Sequence, residues 1–322
     1  MNLIPKDPAL EEEIHQLESR LLALRARLAS PSSTPPNLTQ THPEGISPPP
    51  PPQPLPLPPL PSHTLLHLTD SALPLGTFAF SSGLESYLAH HAPPATPTSL
   101  PSFLHLSLLS LSTTTLPFLS AAYENPQQLE ALDDELDAQT LCPVSRRASI
   151  AQGRALLTLW ARALSSEHAE SAASAALASL ARALKVLVEE GEVAWVHGHF
   201  PLVYAAVCRA AGLRREEMVY TFLFGHAKGV VSAGIRTGLV GPYAAQGVLG
   251  GRLLRAEIEG CMGRIGMGGM GVDGGEGERG GDGGGKGRLW GERGRREAAQ
   301  SVPMLDCWVG RHELLYSRIF NS

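Results

Sequence analysis

Apolar residues recur at helical spacing along most of this chain. Leu10, Ile14, Leu17, Leu21, Leu24 and Leu28 stand 4, 3, 4, 3 and 4 residues apart, an a/d seam with charged flanks. The seam lasts under three heptads and would be marginal alone in water. It reads either as a helix resting on its own domain or as a dimerising or partner-binding helix. From His63 to about Glu259 the period stays near 3.6, and Val/Ile/Thr alternation is scarce. Ser82-Gly-Leu-Glu85 has the form of a capping box, launching a helix that Pro93-Pro94 stops. The pattern predicts further helices from near Ser99, with Pro101 in the first turn, to Tyr123, and over Gln127–Ala138 and Ser145–Leu164. The Ala- and Leu-rich His168–Glu189 follows, with Gly191 as its C-cap, then Pro201–Ala211, Arg215–Ile235 and Tyr243–Glu259. The expected class is all-α, a helical bundle with short connections.

Composition divides the chain. Of 33 glycines and 27 prolines, 17 glycines fall in residues 260–294 and 14 prolines in residues 31–61. The excess is therefore local, and it isolates an ordinary globular segment between two tethers. The resulting division is a short amphipathic helix (1–30), a Pro-rich linker (31–62), a helical domain (63–260), a Gly-rich disordered insert (261–300) and a C-terminal tail (301–322). The net charge of −5, with no basic stripe, argues against nucleic-acid binding by phosphate neutralisation. Cys142, Cys208, Cys261 and Cys307 lie far apart with no C-x-x-C pair, which fits reduced thiols better than zinc or disulfides. Glu11-Glu12-Glu13 stands where a signal peptide would be basic, and no run of 18 apolar residues spans a membrane. A soluble, cytoplasmic protein is expected.

Most chemical motifs dissolve on inspection. Gly266–Gly271 satisfies G-x-G-x-x-G, and Gly280, Gly285 and Lys286 satisfy most of a P-loop, but Gly287 stands where Ser or Thr must bind magnesium. Neither has a strand before it, so neither can aim a helix N-terminus at phosphate. His90-His91 and His197-Gly-His199 are candidate metal ligands without a partner at zinc-like spacing. The second pair precedes Phe200-Pro201 at a helix connection, where imidazoles are expected to hydrogen-bond exposed backbone. Asp133, Asp134, Glu135 and Asp137 read as the solvated face of a polar helix. No catalytic constellation is expected, and the chain is read as a non-enzyme.

Two segments are specified beyond packing. In Leu68–Glu85, Pro74 and Gly76 force a turn that Phe78 and Phe80 anchor. Pro303–Ser322 mixes aromatic anchors (Trp308, Tyr316, Phe320) with the charges of Arg311, His312, Glu313 and Arg318. Such residues beyond a flexible tether indicate docking, on the parent domain or on a partner.

These segments carry a family resemblance. Leu73-Pro-Leu-Gly76 with Phe78-x-Phe-Ser-Ser-Gly-Leu-Glu85, Arg147-Ala-Ser-x-x-Gln-Gly153, His199-Phe-Pro-Leu-Val-Tyr204, Ser232-Ala-Gly-Ile-Arg236 with Gly241-Pro242 and Gln246, and the tail Gly310–Ser322 resemble UreF, a urease accessory family, in a fungal or plant-like form. The resemblance covers residues 65–260 and 303–322. It implies an all-helical, often dimeric protein that binds UreD/UreH through its C-terminal tail and recruits the GTPase UreG, the assembly delivering nickel to apo-urease. A role in modulating GTP hydrolysis is also implied. Nickel and GTP would be handled by the partner complex, with no cofactor, catalytic residue or metal ligand on this chain. By position, Arg311, His312, Glu313, Tyr316, Arg318 and Phe320 would bind the partner, and Arg236 would brace the tail or face UreG. A structural ion pair is an equal reading of Arg236. Ile319 stands where Leu is usual, Thr237 follows Arg236 where Leu is common, and the N-terminal, Pro-rich and Gly-rich segments are additions. The alternative function is a nickel-binding metallochaperone using His197/His199 or His90/His91.

Overall fold

A computed structural model describes Arg20, residues 63–90, 96–168, 170–190 and 196–265, Arg295 and residues 298–321. The N-terminal seam, the Pro-rich linker, the Pro93-Pro94 stop, Gly191 and the glycine-rich motifs lie outside these residues. The chain divides into residues 1–58 and 59–322, and the fold described is that of the second unit.

Among the described residues the structure is all-α, with no strand. The helices are α1 (His63–Leu68), α2 (Leu84–His90), α3 (Ser99–Thr114), α4 (Leu116–Glu124), α5 (Leu129–Gln139) and α6 (Pro143–Leu159). They continue as α7 (Ala172–Glu190), α8 (Phe200–Ala210), α9 (Arg215–Arg236), α10 (Pro242–Leu249), α11 (Arg252–Arg264) and α12 (Pro303–Arg311).

Helix α8 is the centre. Pro201 through Cys208 are all buried, so the helix is apolar on every side and packs against α4, α6, α7 and α9. Such a helix has no water to satisfy its first N–H groups. Ser149 of α6 accepts the Phe200 N–H, at 3.3 Å, and Pro201 has none to offer. Helix α9 starts differently, at the surface: Glu217 accepts from the Arg214 backbone and side chain at 3.0 and 2.8 Å.

Two expected helices are each broken in two. The segment from Ser99 to Tyr123 bends by 44° between α3 and α4. Pro117 sits in the first turn of α4, where its ring would clash with the carbonyl of Thr113 in a continuous helix. No single described helix is long and apolar enough to cross a membrane; only this bent pair passes by length and composition. Most of its apolar residues, Phe103, Leu108, Phe118 and Leu119 among them, are buried in the core. The segment Tyr243–Glu259 breaks at Gly250-Gly251, where a Cβ on Gly251 would come within 2.8 Å of the Gly247 carbonyl oxygen. Helix α11 then runs on to Arg264, burying Cys261 and Ile265. Helix α6 ends at Leu159 in one wide turn, Trp160–Leu164. The four cysteines are free.

Candidate partner-docking site

The two segments singled out in the sequence meet each other. After Leu75 the chain turns on Gly76 at φ 68°, makes a short 3-10 turn over Thr77–Ala79, and reaches Ser82 and Gly83 at φ 53° and 86°. Left-handed backbone at two successive positions sets α2 against α12. A Cβ on Gly83 would lie 2.7 Å from Cγ2 of Val309, so the missing side chain makes room for α12. Trp308 packs edge-on to Tyr87, with centroids 4.8 Å apart.

Glu85 is not the far half of a capping box. Its own N–H faces Ser81 Oγ, at 3.5 Å, and its side chain, 10% exposed, points at the tail. There it accepts from Nε2 of His312 at 2.9 Å, from the Ile319 N–H at 2.6 Å and from the Phe320 N–H at 3.2 Å. A buried carboxylate requires such donors, and hydrogen bonds to a charged acceptor are the strong kind. The Asn321 N–H donates to the Ala79 carbonyl at 2.8 Å, closing the tail onto the turn. The Arg236 guanidinium lies 4.1 Å from the Phe320 ring centroid and 6.0 Å from that of Phe78. Arg236 thus touches the tail through its last aromatic residue.

The expected tail residues divide into two sets. His312 and Phe320 turn inward and are buried. Arg311, Glu313, Tyr316 and Arg318 stand at the surface, joined by Leu314 and Ile319 at 76% and 61% exposure. Glu313 pairs with Arg147 of α6 and stands 3.8 Å from Arg318, which ties the loop to the bundle. The neighbouring cationic side chains outweigh the small cost of desolvation and hold the Glu313 carboxyl below its usual range, the Arg147 hydrogen bond acting most strongly.

A second polar cluster lies at the head of α8. Asp133 is fully buried and accepts the backbone N–H groups of His197, Gly198 and His199, the last two at 2.9 and 2.7 Å. His199 places Nδ1 3.0 Å from Ser149 Oγ and Nε2 3.0 Å from Asp137, which also pairs with Arg146. The acidic group on α5 is thus not simply a solvated face. The imidazole of His199 bonds side chains and leaves the backbone to Asp133. Burial is the larger influence on His199 and lowers its pKa despite both carboxylates. On Asp137 burial acts upward, but hydrogen bonds from His199 and Arg146 outweigh it and the net direction is down.

Ser149, His199 and Asp137 have the residue types of a hydrolytic triad, a grouping sequence reading missed. Here Ser149 Oγ also receives the Phe200 N–H, and His199 is fully buried. The cluster holds α5, α6 and α8 together. Its signal was available: Asp133 lies on the Leu129, Leu132, Leu136 stripe, at spacing that aims it inward. His90, in contrast, bonds the Ser86 carbonyl of its own helix at 2.8 Å, and His91 lies outside the described residues. Among the described residues no group of three His, Cys, Asp or Glu is arranged to hold a metal ion.

A cavity of about 720 Å³ lies between the 75–80 turn, α3, α8, α9 and α12. Polar groups on its wall pair with one another: Ser107 with His226 at 3.1 Å, Ser110 with Gln300 at 2.7 Å, and Tyr204 with Thr221 at 2.9 Å.

Known proteins resemble this chain in sequence. The UreF family model matches residues 95–251. A Schizosaccharomyces pombe protein named "Uncharacterized urease accessory protein UreF-like" is 33% identical over 261 residues, covering 81% of this chain and 97% of its own length. "Urease accessory protein F" of Oryza sativa subsp. indica is 28% identical, covering 79% of this chain and 82% of that protein. "Urease accessory protein UreF" of Haemophilus influenzae (strain PittGG) is 30% identical over 53% of this chain and 69% of its own length. With its all-helical fold and with these matches, the chain belongs to the UreF family.

Proposed function

We propose that this chain is a urease accessory factor that joins a UreD/UreH-type protein to the GTPase UreG during nickel insertion into apo-urease. The observation that carries this reading is the two-sided tail. His312 and Phe320 anchor it to the bundle, while Leu314, Tyr316 and Ile319, flanked by Arg311 and Arg318, face outward. An exposed Tyr beside Arg is the composition of an interface hot spot, since both desolvate a large area while keeping directional bonds. Tyr316 has its entire side chain in solvent, at 107% relative exposure, and it is the natural centre of the contact.

In this role nickel is cargo passed through the assembly and nucleotide chemistry belongs to UreG. The chain supplies surfaces, and any effect on GTP hydrolysis acts through contact with UreG. The test is co-purification with UreD/UreH-type and UreG proteins, with nickel measured on the complex. Tyr316→Ala with Arg318→Ala leaves the buried anchors in place and is expected to weaken binding of the UreD/UreH-type protein at least about tenfold. Unchanged binding would remove the tail from the interface.

A further inference from the structure

We propose that Glu85 is the positioning residue of the docking tail: its carboxylate clasps the tail's return and so shapes the 313–319 loop before a partner arrives. The inference rests on the reading of the tail as the docking element and assigns the group that controls it.

The geometry is specific. One buried carboxylate takes donors from both ends of the loop: His312 Nε2 at its start, at 2.9 Å, and the Ile319 and Phe320 N–H groups at its end, at 2.6 and 3.2 Å. The loop between them is thereby pinned at its base, and its apolar members Leu314, Tyr316 and Ile319 are held out in solvent. Free exposure of these side chains is unfavourable in a loose tail, which would fold them against any available apolar surface. Pinning both ends removes that freedom, so a partner meets the loop already ordered and the entropic cost of binding falls. Arg236 supports the clasp from outside, through the Phe320 ring.

The clasp also carries a cost of its own. His312 is fully buried, and among the described residues its Nδ1 has no hydrogen-bond partner. A buried unpartnered nitrogen opposes closure. Closure therefore leans on the Glu85 carboxylate, which makes this single group the control point between a shaped tail and a released one.

The experiment uses the full-length chain and reads hydrogen exchange in the C-terminal peptide together with affinity for the UreD/UreH-type protein. Glu85→Gln is isosteric but replaces one acceptor oxygen with a donor that faces N–H groups. Exchange at Ile319 and Phe320 is expected to rise about tenfold or more, with peptides of α8 and α9 unchanged and partner affinity about tenfold weaker. Unchanged exchange in the tail overturns the clasp. Faster exchange with undiminished affinity overturns the positioning role, provided Tyr316→Ala weakens binding. If Tyr316→Ala also leaves binding intact, it is the docking reading that has failed, and the positioning role falls with it. Should Glu85→Gln not fold, a chain ending at Arg318 removes the two backbone donors and keeps the carboxylate. It should show the same faster exchange over residues 312–318 and the same loss of affinity, and protection equal to the full chain overturns the proposal.

Discussion

Gly153 lies so close beneath Gly198 that a Cβ on Gly153 would stand 2.0 Å from the Gly198 carbonyl oxygen. The same Cβ would come within 2.7 Å of the Phe200 nitrogen. Both obstacles are backbone, and that backbone is held by Asp133 and Ser149. Neither can rotate aside as a side chain could. Gly153→Ala should cost roughly 3 kcal/mol, at the upper end for overpacking. Chemical denaturation measures this, and a loss under 1 kcal/mol would show that α6 and the 197–200 connection separate easily.

The Asp133 carboxylate is the second support of that connection. Asp133→Ala leaves three backbone N–H groups at the head of a buried helix without an acceptor. The expected loss is on the order of 3 kcal/mol or more, because hydrogen bonds to a charged acceptor are strong and buried donors left unpaired are costly. Asp133→Asn keeps one acceptor oxygen and should fall between wild type and Ala. Equal stability of Asn and Ala variants would mean that the charge, not the number of acceptors, does the holding.

These two residues also show what the sequence displays and what it hides. Helix periodicity locates the elements because it is a local property, and Pro117 and Gly250-Gly251 mark the breaks once their steric demands are weighed. Asp133 was legible on the same grounds, since it shares the stripe of Leu129, Leu132 and Leu136; its acidic neighbours hid the pattern. Glu85 was not legible. An acid three residues after Ser82 is the local signature of a capping box, whereas its partners are more than 220 residues away in the chain. What could be seen was that Phe78–Glu85 and the tail were each specified beyond packing; that they specify one another required the fold. His312 and Phe320 look like their exposed neighbours in sequence for the same reason.

Acid should destabilise the bundle through the half-buried His226 and the fully buried His199. Burial lowers the His226 pKa from 6.5 to about 4, and His199 is lowered as well. Between these values the unfolded chain binds protons that the folded chain does not, so stability is full above about pH 6.5 and falls as pH drops toward 4. For His226 alone the loss is on the order of 2–3 kcal/mol by pH 4. Asp137, whose pKa is lowered from 3.8, adds a further loss only at still lower pH, as its folded-state carboxylate protonates. Thermal unfolding at pH 7, 6, 5 and 4.5 checks the sign. His226→Gln should flatten the curve in this range, and a variant with the wild-type slope would assign the titration elsewhere.

Arg236 should act on the tail and not on the bundle. Arg236→Ala removes the cation from above Phe320 and is expected to cost about 1–2 kcal/mol of tail docking. Limited proteolysis reads this directly: cleavage within residues 312–321 should quicken while α8 and α9 stay resistant. Arg236→Lys keeps the charge but loses the broad guanidinium face and should be intermediate. Cleavage at the wild-type rate in Arg236→Ala would leave Glu85 and the Asn321–Ala79 bond as sufficient anchors.

Two separate costs oppose a side chain at Gly83. At Gly83 an added methyl meets both an unfavourable φ of 86° and Val309 Cγ2 at 2.7 Å. Only the second can be relieved from the other side. Val309→Ala removes the obstructing methyl groups, so Gly83→Ala should be less damaging in a Val309→Ala background than in the wild type. The interaction energy in the double-mutant cycle should be about 1 kcal/mol, favourable, with the remaining cost of Gly83→Ala reporting backbone strain. Strict additivity would mean that α12 shifts freely over α2. In that case the close approach of the two helices is not fixed by this glycine, and the seat of the tail depends on Trp308 against Tyr87 instead.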